Sequence, residues 1–207
     1  MKKSKKSKRK SRSTRVVFID GRRLYLRPPQ ESDLPFFVRW FNNPEIRVFL
    51  NQIYPMTTWA EKKWLERLAE RGNDVMLVIV LKGKTLAQDR PIGTMGLHGI
   101  DRVNGVATTG AAIGEEDCQG KGYGTEAKML LLEYAFNTLN IRKVYSRVFS
   151  INPRSRAYSE KCGYVLEATL PNSHFRMGRY VDEHILAVYA DQWRALWKKV
   201  GRKYLPV

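Results

Sequence analysis

Apolar residues recur along this chain with two different periods, and the switches between them outline the elements. Val16–Ile19 and Leu24–Arg27 are short apolar–polar runs around Asp20-Gly21, a hairpin-type dipeptide, so two strands are expected there. Pro28-Pro29 ends them. Ser32 or Asp33 caps a predicted helix running through Asn42, with Pro35 tolerated in its first turn and Leu34, Phe37 and Phe41 forming one apolar stripe. Asn43-Pro44 stops it. Thr58-Trp59-Ala60-Glu61 is a capping box that opens a helix carrying Trp64, Leu65 and Leu68, closed by Gly72. The period then changes. Asp74–Leu81 is a near-continuous apolar run, the mark of a strand buried on both faces. Pro91–Gly99 and Gly105–Ile113 read as two more strands, joined through Asn104-Gly105. Gly122–Leu139 is helical, with Ala127, Leu130, Leu131, Tyr134 and Ala135 at helical spacing. Strand Arg142–Phe149, helix Pro153–Lys161, strands Tyr164–Thr169 and His184–Tyr189, and a terminal helix Gln192–Lys199 complete the series. The order predicts an α/β fold built on a mixed sheet.

Composition adds one feature to this picture. Lys and Arg total 37 against 20 acids, a net charge of +17 on 207 residues. The excess is concentrated: residues 1–15 hold nine basic residues and no acid, and setting those nine aside from +17 leaves +8. Such a segment cannot bury enough surface to offset the entropy of ordering it, so residues 1–14 are expected to be a disordered basic tail and residues 15–207 one domain. The tail suits RNA, ribosomes or anionic lipid, or serves solubility alone. No apolar segment follows its charges, which excludes a secretory signal, and no run is long enough to span a bilayer. Cys118 and Cys162 form neither a disulfide framework nor a zinc motif, so a reducing cytoplasm is the expected compartment and no metal is expected.

The candidate chemistry lies between the strand ending at Ile113 and the helix after it. Gln119-Gly120-Lys121-Gly122-Tyr123-Gly124 places glycines at alternate positions. Glycine there lets successive backbone N–H groups turn toward one point, and the following helix adds its positive N-terminal end, giving an anion site suited to phosphate. The Walker pattern is absent. Gly122-Tyr-Gly124-Thr-Glu-Ala127 formally fits a dinucleotide fingerprint. Its context does not: Glu115, Glu116, Asp117 and Cys118 separate it from the strand, and no acid lies between Glu133 and Glu160 to bind a ribose.

The same loop resembles the Q/R-x-x-G-x-G/A turn of GNAT acetyltransferases. The resemblance continues through Leu26-Arg27-Pro28, Ser32-Asp33-Leu34, Arg39-Trp40, Asn42-Asn43-Pro44-Glu45, Gly110–Gly114, Asn152-Pro-Arg-Ser155, Glu160-Lys161-Cys162-Gly163-Tyr164 and Gly178–Asp182. In order, these look like the RimJ/RimL-type branch. The resemblance implies a mostly antiparallel central sheet flanked by helices, with a splayed strand pair that holds acetyl-CoA. The pantetheine would lie along Ala111, Ala112 and Ile113, and the pyrophosphate on the amides of Gln119, Gly120, Lys121, Gly122, Tyr123, Gly124 and Thr125. Asn152 would contact the pantetheine arm. Lys121, Lys128, Arg142 and Lys143 are candidates for the ribose 3′-phosphate, although each alone also reads as part of a solvated basic face.

The implied reaction is direct attack of a neutral amine on the thioester in a ternary complex. A backbone N–H near Ile113 would serve the oxyanion. Where many family members carry a Tyr beside the sulfur, the spacing places Ser159; Tyr158 is one residue early and turned about 100° away on the helix. Glu45 and Asp182 fall in segments that line the acceptor side in relatives. Glu115 and Glu116 flank the cofactor loop. His98, His174 and His184 carry no motif and read as structural. Among the aromatic residues, Trp40 lies off the Leu34/Phe37/Phe41 stripe and, with Glu45 and Tyr180, is assigned to the acceptor pocket. The acceptor expected is a protein N-terminus or a small amine such as an amino sugar, aminoglycoside or polyamine. The rival from another class is a non-catalytic acyl-CoA-binding protein tethered to nucleic acid by its tail. Members of the branch often form dimers, which makes a homodimer an expectation.

Overall fold

The computed structural model describes residues 15–70 and 72–206; the expected disordered tail, residues 1–14, lies outside the described residues. Eight strands form a single sheet: β1 (Ile19–Asp20), β2 (Leu24–Arg27), β3 (Val75–Leu81), β4 (Arg90–Asp101), β5 (Val106–Ile113), β6 (Lys143–Phe149), β7 (Val165–Arg176) and β8 (Arg179–Tyr189). Their spatial order is β1-β2-β3-β4-β5-β6-β8-β7. All neighbours are antiparallel except β5 and β6, which are parallel. The helices are α1 (Leu34–Asn42), α2 (Pro44–Arg47), α3 (Thr58–Glu70), α4 (Tyr123–Asn137), α5 (Pro153–Lys161) and α6 (Ala190–Val200). Among the described residues, no helix is long and apolar enough to cross a membrane.

The continuous apolar run of β3 follows from helices on both faces. Leu77 and Ile79, with Leu24 and Leu26 of β2, join the large core around α4, whereas Val78, Val80 and Tyr25 pack with Phe37 and Trp40 of α1. Because side chains alternate across a strand, both sets had to be apolar. The core around α4 carries most of the buried surface and extends to Trp193 of α6, whose ring lies 5.3 Å from Phe136 and 4.9 Å from Trp197.

Two strand expectations change. Val16–Ile19 contributes only Ile19 to the ladder. At the other end, Tyr164–Thr169 and His184–Tyr189 are the inner parts of a longer hairpin, β7–β8, which turns at Met177-Gly178 with both residues at positive φ (49° and 77°). Positive φ at both central positions is the two-residue turn that matches strand twist. Pro171 is tolerated within β7 because β7 is an edge strand, where a missing N–H costs no ladder bond.

Candidate functional site

The register of β5 and β6 runs from Val106–Lys143 to Thr109–Ser146 and stops there. Both strands continue, to Ile113 and Phe149, so they diverge into a V. On its other side β5 stays paired with β4 up to Ile113–Gly93. Gly110 to Ile113 therefore present an unpaired edge of four residues, about 13 Å at ~3.3 Å per residue. The apex is pinned. Thr109 Oγ1 donates to the Tyr145 carbonyl (3.0 Å), which leaves the Tyr164 hydroxyl to donate to Thr109 Oγ1 (3.1 Å). Tyr164 is buried, and desolvation pushes its phenol well above the usual range.

At the open end of the V the chain passes through a 3-10 turn, Glu116–Cys118, into the loop before α4. Gly120 and Gly122 have φ of 72° and 78°, a left-handed conformation that a side chain would strain. The first helical bond of α4 is Glu126 N–H to the Gly122 carbonyl, 3.1 Å. Among the described residues, the amides of Gly120, Lys121, Gly122, Tyr123, Gly124 and Thr125 have no protein acceptor. They form an anion cradle at a helix N-terminus, and a Cβ added at Gly120 would meet nothing within 4 Å. The donor set fits a diphosphate. Gln119 bridges from the loop: its Nε2 donates to the Ile113 carbonyl and its Oε1 accepts from Arg154, both at 3.3 Å. Asn152 follows β6 and caps α5, its Oδ1 accepting from Ser155 N–H at 3.0 Å.

Arg23 is a loop residue that sequence reasoning missed. It donates to the Lys121 carbonyl (2.9 Å) and to both oxygens of the buried Glu126 (2.7 Å each, one through its own backbone N–H), and it lies 4.6 Å over the Tyr123 ring. No motif marks it, because its partners lie about a hundred positions away.

The cations named for the 3′-phosphate separate widely. Lys121 is exposed on the loop. Arg142 and Lys143 lie at the paired end of β5–β6, against the Asn104 carbonyl and Glu167 respectively. Lys128 is 1% exposed, inside the core. Its Nζ donates to Ser159 Oγ at 2.9 Å and stands 3.4 Å from Ser146 Oγ, with the Tyr158 and Tyr164 rings 4.2 and 4.8 Å away. Ser159 itself is fully buried.

The acceptor candidates also divide. Trp40 is 1% exposed, which corrects its assignment to an open pocket wall. It packs on Phe36 and Phe37, and a Cβ at Gly114 would fall 2.1 Å from its ring, so it supports the end of β5 from beneath. Its Nε1 donates to Glu115 at 2.7 Å. Glu115 also receives Arg39 and Arg90, and Arg90 pairs with Asp117 at 2.7 Å. Burial pushes the Glu115 carboxyl up, but the bonds from Trp40 and Arg90 and the charge of Arg39 outweigh it, and the net shift is down. Glu45 is exposed at the start of α2. It lines a groove of about 540 Å³ with Pro44, Arg47, Val48, Gln52, Ile53, Phe175, Arg176 and Met177. Tyr180 is exposed beside it, 5.2 Å edge-on from Phe175, in a depression with Ser150, Ile151, Arg179, Val181 and Asp182. Asp182 is engaged in the hairpin, accepting from Asn172 N–H at 2.9 Å.

The histidines have structural neighbours: His98 near Asp74, His184 with Thr169, and His174 between Phe149 and Glu183. Glu183, also missed from the sequence, is buried. Desolvation raises its carboxyl, but Arg147 and His174 overcome this and hold it low. Among the described residues, no group of three or more His, Cys, Asp or Glu is placed to hold a metal ion.

Comparison with known proteins bears directly on this arrangement. The profile of the acetyltransferase (GNAT) domain family matches residues 23–165. The uncharacterized N-acetyltransferase p20 of Bacillus licheniformis is 26% identical over 170 residues, 80% of this chain and 92% of that relative. The putative ribosomal N-acetyltransferase YdaF of Bacillus subtilis is 31% identical over 101 residues, 49% of this chain and 55% of that protein. Among solved structures, spermidine N-acetyltransferase from Vibrio cholerae in complex with CoA and spermine superposes with a TM-score of 0.76. It is 25% identical, covering 83% of this chain and 98% of that one.

Proposed function

Because the chain belongs to the acetyltransferase (GNAT) family and so is an acetyl-CoA-dependent N-acetyltransferase, we propose that its acceptor is the amino terminus of a protein or peptide. The observation that carries this is the charge and polarity of the groove between α2 and the β7–β8 turn. Val48, Ile53, Phe175 and Met177 give it apolar walls, Arg47 and Arg176 bring positive charge, and Glu45 is its one acid among the lining residues. A polyamine would carry several ammonium groups to that surface. The acids that might have answered them, Glu115 and Asp117, are committed to Arg39 and Arg90. A peptide N-terminus brings a single amine, which Glu45 can orient, and side chains that suit the apolar walls and the exposed Tyr180 ring. The +8 charge outside residues 1–15 favours the same class. The basic residues of that segment would draw the enzyme toward RNA, as a ribosomal acceptor requires.

Coenzyme A supplies the thioester. In this reading the amides of Gly120, Lys121, Gly122, Tyr123, Gly124 and Thr125 hold the pyrophosphate; the Gln119 amide, expected in this set, is instead bonded to the Glu116 carbonyl at 3.0 Å. The free edge at Ala111, Ala112 and Ile113 takes the pantetheine as an added strand, and Asn152 contacts it from the opposite arm of the V. Arg23 fixes the loop, and Lys121 and Arg23 face the phosphates. Because the sulfur then reaches the apex, a backbone N–H at the apex end of the free edge, near Ala111, donates to the oxyanion, rather than one near Ile113 at the loop end. Ser159 supports the leaving sulfur. The amine loses its proton to water at the open groove, because only the neutral amine attacks.

The test is thiol release from acetyl-CoA with a panel of amines. Peptides with free N-termini should exceed spermidine, amino sugars and aminoglycosides by roughly 100-fold in kcat/KM, the ~2.7 kcal/mol that two decades represent. Faster turnover of spermidine than of any peptide would reverse the assignment.

A further inference from the structure

Lys128 lies behind the V, buried, with no part in the reaction as described so far. A lysine with 1% exposure is costly unless something answers its charge. Here its recorded neighbours are hydroxyls and ring faces: Ser159 Oγ at 2.9 Å, Ser146 Oγ at 3.4 Å, and the Tyr158 and Tyr164 rings. Among the described residues, no carboxylate lies within ion-pair distance of it. The nearby thiol and phenol do not supply an anion either. Burial pushes Cys162 up to about 12, against the opposing pull of the Lys128 charge, and holds Tyr164 well above its usual range.

The position of this cation is specific. Ser146 belongs to the last paired register of β5 and β6, so Lys128 stands behind the apex of the V. The free edge of β5 spans about 13 Å from the loop to that apex. An extended arm anchored on the loop amides and laid along this edge delivers its far end to the apex. For coenzyme A the far end is the sulfur.

We propose that Lys128 is a positioning residue for acetyl transfer: through the hydroxyls of Ser159 and Ser146, its ammonium stabilises the negative charge that forms on sulfur at the apex. The inference rests on the reading that coenzyme A lies along the free edge of β5. In the step served, the amine nitrogen forms its bond to the acetyl carbon and releases a proton to water. The C–S bond breaks with its electron pair going to sulfur, and the thiolate takes a proton from water after release. Ser159 and Lys128 are sealed from solvent, so the charge is felt with little screening. The charge also has no internal anion to neutralise it until the thiolate appears, which favours the product side of C–S cleavage over the ground state.

Lys128→Met and Ser159→Ala are compared with the unmodified enzyme in two measurements. The first needs no acceptor: the affinities of CoA and desulfo-CoA at about pH 9.5, above the ordinary range of a cysteine thiol, where the weaker alkanethiol acid of CoA also ionises appreciably. The unmodified protein should bind CoA roughly 10-fold more tightly than desulfo-CoA, and Lys128→Met should bind the two within about twofold. The second is turnover. Lys128→Met should lower kcat roughly 100-fold while KM for acetyl-CoA stays within about threefold. Ser159→Ala should cost only about fivefold, because the cation and the Ser146 hydroxyl remain. An unchanged CoA to desulfo-CoA ratio in Lys128→Met overturns the proposal. If Lys128→Met does not fold, Ser159→Ala joined with Ser146→Ala decides: an unchanged ratio there overturns it too. Failure of every amine in the panel would overturn the acceptor assignment and leave the CoA ratio able to decide the role of Lys128.

Discussion

The loop before α4 and the groove between α2 and the β7–β8 turn, which we propose as the cofactor and acceptor sides of one site, are built by different means. The loop works through main-chain amides. Its geometry is imposed by glycines at positive φ and by the start of α4, and a short stretch of contiguous sequence carries nearly all of it. The groove works through side chains from α2, from the segment after it and from the β7–β8 turn, more than a hundred positions apart. The difference teaches where specificity resides. A backbone cradle suits one invariant group, such as a diphosphate, and tolerates change only where Cβ atoms are tolerated. A side-chain groove can be rewritten one charge at a time.

Gly122→Val should produce the largest effect. The residue sits at φ 78°, where a β-branched side chain is most strained, and it is the N-cap of α4. The helix start must shift and the amides of Tyr123 to Thr125 must turn with it. Acetyl-CoA affinity, measured by calorimetry, is expected to fall more than roughly 100-fold, with about 1–2 kcal/mol of stability lost to strain. Retention of affinity within a few-fold would show that side chains, not amides, hold the phosphates, and the contrast with the groove would collapse.

The two faces of the sheet, one packed on α4 and the other on α1 and α3, also bury their acids differently. Glu126, behind the loop, is answered by Arg23 through side chain and backbone. Glu61, in α3, is equally buried, yet its Oε1 has no partner and desolvation raises its carboxyl to about 7. The sign follows from the raised value. The unfolded chain ionises from about pH 4.5 while the folded protein stays protonated until about 7, so stability is full below 4.5 and is lost progressively across that window. The loss amounts to about 3 kcal/mol. Urea denaturation between pH 4.5 and 8 should show this slope for the unmodified protein and a markedly flatter one for Glu61→Gln. Identical slopes would mean that Glu61 finds a partner in solution.

Arg23→Ala comes next. It removes the side-chain half of the Glu126 arrangement and frees the Lys121 carbonyl. The expected cost is about 2 kcal/mol of stability from the partly orphaned carboxylate, together with a rise of about tenfold in KM for acetyl-CoA. A stability loss with unchanged KM would make Arg23 a core residue that merely lies near the loop.

The same division explains what could be read from the sequence. The helix and strand series was legible because β3, α4 and β6 bury whole runs or stripes of apolar residues. The loop was legible because its information is local. The outer half of the β7–β8 hairpin was not: it extends beyond the core, its β7 residues are exposed on both faces, and no alternation marks it. Met177-Gly178 lacks the Asn or Asp that usually announces such a turn. Trp40 was misplaced because a residue off one apolar stripe of α1 meets a second buried surface, the Glu115 carboxylate and Gly114, from 75 positions away. The sequence offers Lys128 as a 3′-phosphate candidate or part of a solvated basic face, because a lysine in a helix is ordinarily exposed; its burial depends on Ser146, Ser159 and two tyrosines from later elements.

The smallest expected effect is also the one that tests the contrast most directly. Arg47 closes α2 and lines the groove, and no ion pair is recorded for it among the described residues. Arg47→Glu reverses one charge there without touching β5 or the loop. If the groove sets the acceptor by side-chain charge, the ratio of kcat/KM for a peptide N-terminus to that for spermidine should fall about tenfold, the ~1.4 kcal/mol that a partly exposed charge reversal can supply. KM for acetyl-CoA should stay unchanged, because the amide cradle does not involve α2. An equal loss on both acceptors would mean that the substitution damaged the groove rather than rewrote it. A shift in KM for acetyl-CoA would mean that the two sides of the site are coupled through Glu115, whose carboxylate touches Trp40 of α1 and begins the loop.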